Sequence, residues 1–224
     1  MFPSNLRLFL YLSGFLIFIN ISYCQKTTDS TQYTVDFRFT DGIFLNFEQV
    51  KANNAVPLKN IISNEDYLSD NFISKILHKQ EIYFYFKGIK RTISSKSIWG
   101  YAQNGVLYIN VQDNFYRIPS IGSISFFVAS VKVEYQSPID PWSNSYYGIQ
   151  NQNYTTSEIQ RFLLDFGDGS LYSYSIKNIE KLISKDDILY KDYMSLKKRI
   201  RKQKSFIYIR RFNENKPLYF PNNL

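Results

Sequence analysis

The middle of the chain reads Ile98-Trp-Gly-Tyr-Ala-Gln-Asn-Gly-Val-Leu-Tyr-Ile109, two apolar and aromatic runs around an Asn-Gly pair. Asn and Gly both tolerate the positive φ angles of a type I′ turn, which joins antiparallel strands through a two-residue loop. Aromatic and β-branched residues suit a half-buried strand. The stretch therefore predicts a β-hairpin in which residues 98–102 pair with residues 106–111.

The same alternation of short strands and turns extends on both sides of this hairpin. Lys87-Gly88 and Gly167-Asp168-Gly169 are turn signals between apolar runs, and Tyr33–Phe39 alternates apolar and polar residues. The further predicted strands are residues 33–39, 82–86, 89–93, 115–118, 124–135, 159–166 and 171–174. Residues 33–174 are thus predicted to form a β-rich domain, an antiparallel meander arranged as a sheet or an open barrel.

Two segments inside this domain have helical spacing instead. Phe47 and Val50 lie on one face of a predicted short helix between Gly42 and Asn53. Apolar residues also recur at roughly helical spacing through residues 64–79.

The C-terminal region, residues 175–224, is predicted to be basic, helical and packed on the sheet. Ser184 and Asp187 are a variant of the capping box, which predicts the start of one helix reaching at least Lys204. Residues 206–212 fit a helix or a strand equally well. The apolar stripes of this region are Ile176, Ile179, Leu182 and Ile183, and then Leu189, Tyr193, Leu196 and Ile200. Together the two regions predict an α+β fold with C-terminal amphipathic helices.

Residues 1–24 have the features of a secretory signal peptide. The apolar run from Leu8 to Ile19 is too short to span a bilayer, which takes roughly 20 apolar residues. Small side chains at Ser22 and Cys24 suit cleavage before Gln25. We therefore expect export to the periplasm, the cell surface or the medium.

Cys24 is the one cysteine of the chain, which leaves no thiol pair for a disulfide. Its position at the cleavage boundary allows a second interpretation, lipoprotein anchoring. Ile21 and Ser22 fit a lipobox, whereas the bulky Tyr23 stands where a small residue is expected. Residues 25–32 are polar without apolar periodicity and are predicted to be a flexible lead-in.

The formal net charge is +8, of which +1 is Arg7 and +7 lies in residues 185–224, because opposite charges balance between residues 25 and 184. An electrostatic face for anionic lipid head groups is one hypothesis for this run. The alternative is a solvated helix face. Nucleic acid is not an expected partner of an exported protein. The cations assigned to the predicted face are Lys197, Lys198, Arg201 and Lys204.

No catalytic, metal or cofactor motif stands out. His78 is the only histidine, which argues against a zinc site and against a serine triad. Paired carboxylates could still make the protein a secreted hydrolase of glycans or peptidoglycan, with one acid and one nucleophile or base. The candidates are Glu81, Glu134, Asp140, Glu158 and Asp165.

A polar segment, residues 137–156, interrupts the strands and carries aromatic side chains among amides. Trp142, Tyr146, Tyr147 and Tyr154 predict a glycan-binding edge, because aromatic rings contact sugar faces and amides bind hydroxyl groups. The alternative is that Trp142 holds the segment against the sheet.

Four stretches carry a resemblance to a known group: residues 42–53, 98–109, 115–122 and 208–218. They are similar to uncharacterised secreted proteins of the Bacteroidota. The resemblance implies a periplasmic or envelope location and assigns no site residue. We therefore expect an exported cell-envelope protein with a non-catalytic binding or structural role, whose partners are glycans, anionic lipid head groups or other envelope proteins.

Overall fold

The computed structural model describes residues 30–136 and 153–221. The expected signal peptide and Cys24 lie outside these residues. So do Trp142, Tyr146 and Tyr147 of the predicted glycan edge, and the carboxylate candidate Asp140.

The fold is α+β, with mostly antiparallel sheets followed by C-terminal helices, and the sheet is not closed into a barrel. The strands are β1 Ser30–Gln32, β2 Gly42–Phe44, β3 Val56–Pro57, β4 Glu81–Phe86, β5 Ile89–Ser94, β6 Gly100–Gln103, β7 Val106–Val111, β8 Asn114–Arg117, β9 Ile124–Gln136, β10 Asn153–Asp165, β11 Leu171–Ser173 and β12 Tyr219–Pro221. The helices are α1 Phe47–Lys51, α2 Phe72–Leu77, α3 Ile176–Ile183, α4 Asp187–Ser195 and α5 Lys198–Asn215, with 3-10 turns at Leu58–Asn60 and Ser95–Ser97.

The Asn-Gly hairpin is confirmed and forms the centre of a five-stranded sheet with the order β3-β2-β6-β7-β8. Asn104 and Gly105 have the positive φ angles of a type I′ turn, 54° and 73°. The Asp41 carboxylate accepts hydrogen bonds from both of their amides, at 3.1 and 2.9 Å. The predicted β4–β5 hairpin is also confirmed, as a separate two-stranded sheet.

A long hairpin of β9 and β10 forms the second main sheet. The two strands pair over thirteen residues, from Ile124 opposite Asp165 to Gln136 opposite Asn153, and β11 adds to the β10 side. The prediction that residues 124–135 continue the first sheet is therefore wrong. β9 instead stacks its face on that sheet, because Phe127 packs in one cluster with Leu107 and other buried residues of the first sheet.

Three apolar clusters hold four layers together. One cluster fills the space between the five-stranded sheet and one face of the β9–β10 hairpin. A second lies between the other face of the hairpin and helices α3 to α5. The third packs α2 and β4 against the outer face of the five-stranded sheet. This arrangement follows from the period of two in strands, which sends adjacent side chains to opposite faces.

The N-terminal stretch departs from its predicted structure. Ser30–Gln32, part of the expected flexible lead-in, is a strand paired with β12. Tyr33–Phe39 is not the predicted strand, because the chain turns there and the Phe37 amide donates to the Thr34 carbonyl, at 3.0 Å. The alternating pattern instead supplies an aromatic cluster: Tyr33, Phe37 and Phe39 pack around Phe220.

The single helix predicted from residue 184 to beyond residue 204 is two helices. Leu196 has extended backbone, φ −79° and ψ 143°, and separates α4 from α5. The predicted capping box is also wrong: Asp186, not Ser184, caps α4 by accepting from the Leu189 amide at 3.0 Å. Residues 206–212 belong to α5. In place of the helix predicted over residues 64–79, the structure contains the shorter helix α2, Phe72–Leu77.

The break has a packing reason. α4 and α5 run antiparallel, so the Tyr193 ring meets the Tyr208 ring at 4.7 Å, and the Asn215 amide bonds to Asp186 at 2.8 Å. One straight helix would carry residues 205–212 away from the sheet. The turn at Leu196 lets both helices bury their apolar faces in the same cluster.

Neighbouring residues of α4 give a stability test of this packing. Leu189 is 2% exposed and Ile188 is 83% exposed. We expect Leu189→Ala to lower the free energy of unfolding by about 2–5 kcal/mol, because it removes buried methyl groups and leaves a cavity. Ile188→Ala is the matched control and should change it by less than about 0.5 kcal/mol. Urea denaturation followed by circular dichroism measures both, and equal losses would contradict the packing of α4.

Candidate binding surfaces

The structure does not place the four cations of the predicted face on one surface. Lys197, Lys198 and Lys204 are exposed at the start of α5. Arg201 instead points inward: its side chain is 14% exposed and its Nη1 lies 3.3 Å from the Glu180 carboxylate of α3. Its Nε is buried and has no hydrogen-bond partner among the described residues. Arg201 therefore joins two helices and does not share an exposed face with the other three cations.

The start of α5 is electrostatically unfavourable by itself. Its N-cap, Lys197, makes no side-chain capping hydrogen bond, and its first turn contains no acidic residue. Cations near a helix N-terminus repel the positive end of the helix dipole. Removing the charge of these residues should not destabilise the helix, so they can be varied to test binding.

A second set of α5 residues lies beside the β9–β10 hairpin. Arg199, Lys202 and Phe206 are spaced three and four positions apart, which places them on one helix face. The Phe206 ring packs edge-on against the Phe126 ring of β9, with centroids 5.3 Å apart. The Asn213 amide further along α5 bonds to the Ile124 carbonyl at 2.9 Å. The N-terminal part of α5 therefore runs along the hairpin toward its far end.

The hairpin leaves large apolar side chains uncovered at this place. Val128 is 41% exposed, Ile159 is 81% exposed and Phe206 is 49% exposed. Val128 follows Phe126 by two residues and so lies on the same strand face. Ile159 pairs with Ser130, which makes it the diagonal neighbour of Val128 on that face.

Three cations flank these apolar residues. Arg161 is the cross-strand partner of Val128, and Arg199 and Lys202 come from α5. All three are exposed, and among the described residues none of them has a carboxylate oxygen within 4.0 Å. We call this set the apolar–basic surface. Its members are Val128, Ile159, Phe206, Arg161, Arg199 and Lys202.

The contact between α4 and α5 sets the rotation of α5 about its axis. The Asp192 carboxylate accepts hydrogen bonds from Arg211 Nη1 at 2.7 Å and from the Tyr208 hydroxyl at 2.9 Å. The hydrogen bond from Arg211, followed by that from Tyr208, holds the pKa of Asp192 below its ordinary value. This anchor turns the opposite side of α5, with Phe206, toward the hairpin.

A polar cleft of about 770 Å³ lies on the same face of the hairpin, closer to its end. Lys132 of β9 pairs with Ser157 of β10, and Glu134 pairs with Thr155. The turn between β7 and β8 closes one side of the cleft. The lining residues, which we call the polar cleft, are Gln112, Asp113, Lys132, Glu134, Thr155 and Ser157.

The turn that closes the cleft has left-handed backbone at two residues other than glycine, of which Asp113 tolerates that region better than Gln112. Gln112 and Asp113 both have positive φ, 52° and 65°, where glycine is the usual residue. The Gln112 side-chain amide bonds to both backbone groups of Lys132, at 2.6 and 3.2 Å. Asp113 forms an ion pair with Lys96, at 3.2 Å. The two hydrogen bonds of Gln112 hold the wall of the cleft against β9.

The carboxylates considered for hydrolysis are dispersed. Glu134 and Glu158 project from opposite faces of the hairpin, because their positions in the register differ in parity. Asp165 is buried and paired with Lys185, and Glu81 accepts a hydrogen bond from Tyr83 at 2.5 Å. Among the described carboxylates, Asp113 is the one that shares the polar cleft with Glu134.

His78 ends α2 as its C-cap residue and is exposed. It shares a cavity of about 390 Å³ with Ser74 and Asp113. Its Nδ1 lies 2.6 Å from the Ser74 carbonyl, not the hydroxyl, and Asp113 is paired with Lys96. The three side chains therefore do not form the hydrogen-bonded series of a serine triad.

Tyr135 and Tyr154 are cross-strand partners of β9 and β10. Tyr154 belongs to residues 137–156, the segment predicted to interrupt the strands and bind glycans, but residues 153–156 are part of β10. Their rings stack with centroids 5.6 Å apart, and the Tyr135 hydroxyl donates to Glu158. This pair lies on the hairpin face opposite to the polar cleft. The hydrogen bond to Glu158 raises the pKa of Tyr135, so the hydroxyl stays protonated as a donor.

Comparisons with family models, with curated proteins and with solved structures found no match to this chain. Within residues 30–136 and 153–221, no helix is both long and apolar enough to cross a membrane. The same residues contain no group of three or more His, Cys, Asp or Glu side chains arranged to hold a metal ion.

Sequence reasoning missed Arg199, Lys202 and Phe206 because it assumed one continuous helix. The break at Leu196 resets the helical phase, and the buried face becomes Ser205, Tyr208, Ile209 and Phe212. The helical spacing of those four residues was the signal available in the sequence. Because Arg201 precedes Ser205 by four residues, about one helical turn, the same spacing places Arg201 on the buried face.

The Asp192 anchor gives a pH test. Because its folded-state pKa is lowered, its stabilising contribution is complete above the unfolded pKa of about 3.9 and is lost as the pH falls through the lower folded value. We expect wild type to lose more stability than Asp192→Asn from about pH 5 to about pH 3. Urea denaturation at each pH measures this.

The control is Asp36→Asn, because Asp36 has no ion pair or hydrogen bond to another described residue. Its loss of stability on acidification should match that of wild type. If Asp192→Asn also behaves like wild type, Asp192 does not anchor α5.

Proposed function

We propose that this protein is an exported cell-envelope protein that attaches without catalysis to an anionic lipid surface. The signal-peptide features of residues 1–24 support export. The apolar–basic surface supports the attachment. The single observation that carries the proposal is the contiguity of three exposed large apolar side chains with three cations that have no carboxylate partner.

The apolar part of the surface suits the head-group boundary of a membrane. Contiguous exposed apolar side chains on a soluble fold often mark an interaction site. Burying one large aliphatic side chain contributes about 1.5–3 kcal/mol, and Ile159 is the most exposed of the three. Shallow insertion of Ile159, Val128 and Phe206 into the boundary would recover this free energy.

The cations supply the charge preference. Each Lys or Arg near an anionic membrane contributes about 1 kcal/mol, and the effect decays within a Debye length of about 8 Å at physiological ionic strength. Arg161, Arg199 and Lys202 surround the apolar side chains, as the cations of interfacial amphipathic segments do. A mixed apolar and cationic surface favours a lipid over a uniformly polar anionic partner.

Vesicle co-sedimentation tests the proposal with two charge-matched variants. The first replaces Arg161, Arg199 and Lys202 with Gln, and the second replaces Lys197, Lys198 and Lys204 with Gln. We expect the first to lower partitioning to vesicles of equal phosphatidylcholine and phosphatidylglycerol by about 100-fold at low salt, from about 3 kcal/mol for three cations. The second variant has the same net charge as the first, and its partitioning to these vesicles should fall much less.

Added salt should weaken the binding of wild type, and vesicles of pure phosphatidylcholine should bind it weakly. Equal losses in both triple variants would show that only net charge matters, which contradicts a defined surface. Binding that is indifferent to salt, or absent from anionic vesicles, contradicts the proposal itself.

Ile159→Ser separates insertion from electrostatic attraction. Because Ile159 is 81% exposed, the substitution should leave the melting temperature unchanged. We expect it to lower vesicle partitioning by about 10-fold, from the lost burial of one aliphatic side chain. Ile188→Ser on α4 is the control, since Ile188 is equally exposed but outside the surface. Identical partitioning of Ile159→Ser and wild type would show that no insertion occurs at Ile159.

A further inference from the structure

The polar cleft is separate from the lipid-binding proposal and has its own chemistry. Its six lining side chains are all polar: two carboxylates, one ammonium, one amide and two hydroxyl groups. Its volume of about 770 Å³ falls within the range of sites for small ligands, roughly 300–1,000 Å³. Most such sites are lined by apolar side chains, so a lining whose described side chains are all polar favours a ligand rich in hydrogen-bonding groups.

The paired strands present four of these side chains as a regular array. Lys132 lies opposite Ser157, and Glu134 lies opposite Thr155. Directly opposed Cβ atoms in an antiparallel pair are about 5 Å apart, and neighbours along one strand face about 7 Å. The array offers donors and acceptors at short, fixed intervals along one face of the hairpin.

The balance of charge narrows the class of ligand. Asp113 is paired with Lys96, which leaves the carboxylate of Glu134 and the ammonium of Lys132 as the remaining charges of the lining. These two opposite charges balance, so the cleft favours neither an anion nor a metal cation. The ammonium donates, the carboxylates accept, and the hydroxyl groups of Thr155 and Ser157 do both. A neutral ligand whose groups both donate and accept satisfies all of them, and the hydroxyl group has this property.

The cleft is also held in shape before any ligand arrives. Gln112 is fixed by two hydrogen bonds to the backbone of Lys132, and Asp113 by its ion pair with Lys96. A preorganised wall lowers the entropy lost on binding. The affinity available to a small polar ligand is correspondingly greater.

The turn supplies a separate argument. The Asn104-Gly105 turn uses residues that favour positive φ, whereas Gln112-Asp113 adopts the same region with bulkier side chains. Left-handed backbone in a residue other than glycine costs of order 1–3 kcal/mol. Asn-Gly would relieve that strain but would lose the Gln112 amide that bonds to Lys132 and the Asp113 carboxylate of the cleft. The strained turn therefore places two polar side chains at the wall of the cleft.

We propose that the polar cleft binds a neutral saccharide, with Glu134 and Thr155 contacting its hydroxyl groups. The site lies on the hairpin face opposite to Tyr135 and Tyr154. Among its lining residues, Thr155 comes from residues 137–156, the segment predicted to bind glycans. The proposal is independent of lipid attachment, because none of its residues belongs to the apolar–basic surface.

An array of neutral and acidic oligosaccharides is the first probe, followed by titration of the bound neutral oligosaccharide against the purified protein by NMR. We expect a neutral oligosaccharide to bind wild type. Glu134→Gln and Thr155→Val should each weaken that binding at least 10-fold, because each removes hydrogen bonds to hydroxyl groups. Both residues are exposed, so their melting temperatures should equal that of wild type.

Glu158→Gln is the matched control, since Glu158 lies on the same hairpin but on its opposite face. It should bind the oligosaccharide like wild type. The proposal is overturned if no neutral oligosaccharide binds, if Glu134→Gln and Thr155→Val bind like wild type, or if Glu158→Gln weakens binding equally. Thr155→Val leaves the net charge unchanged and should sediment with anionic vesicles like wild type, so the two proposals fail separately.

Discussion

The pairing of β9 with β10 is the constraint on which the rest of the structure depends. Thirteen residues on each strand pair in one register, and near the end formed by Ile124 and Asp165 both faces of this hairpin are buried. One face stacks on the five-stranded sheet through Phe127 and its neighbours, and the other carries the helices through Ile124 and Leu163. A slip of one residue would exchange the two faces and expose both cores.

The hairpin is longer than the layers that cover it, and both proposed sites follow from this difference. The helices cover the face near Ile124 and Phe126, whereas from Val128 onward that face is exposed. The uncovered half carries first the apolar residues beside α5 and then the polar cleft. Apolar side chains near the covered part and polar ones further out give the two surfaces different chemistry. A lipid boundary and a saccharide could therefore be bound side by side.

The cations of the C-terminal region have two different roles. Within the helical layer, cations are paired: Arg211 with Asp192 and Arg201 with Glu180 join neighbouring helices. At the start of α5 and beside it, cations have no carboxylate partner among the described residues and oppose the helix dipole. Packing of α4 against α5 offsets that cost, because Tyr193 and Tyr208 are buried in the same cluster.

The sequence by itself determined the local elements: the Asn104-Gly105 turn, the β4–β5 hairpin, the short helix with Phe47 and Val50, and the α+β class. These depend on turn chemistry and on periodicity, which act over a few residues. Tertiary structure alone decided that β9 stacks on the first sheet and that the C-terminal apolar stripe breaks at Leu196. It also decided that Arg201 points inward while Arg199 and Lys202 are exposed. It also brought the turn at Gln112 to Lys132 and so made the cleft. The physical reason is that burial is shared between segments distant in sequence, and no local pattern records which partner covers which face.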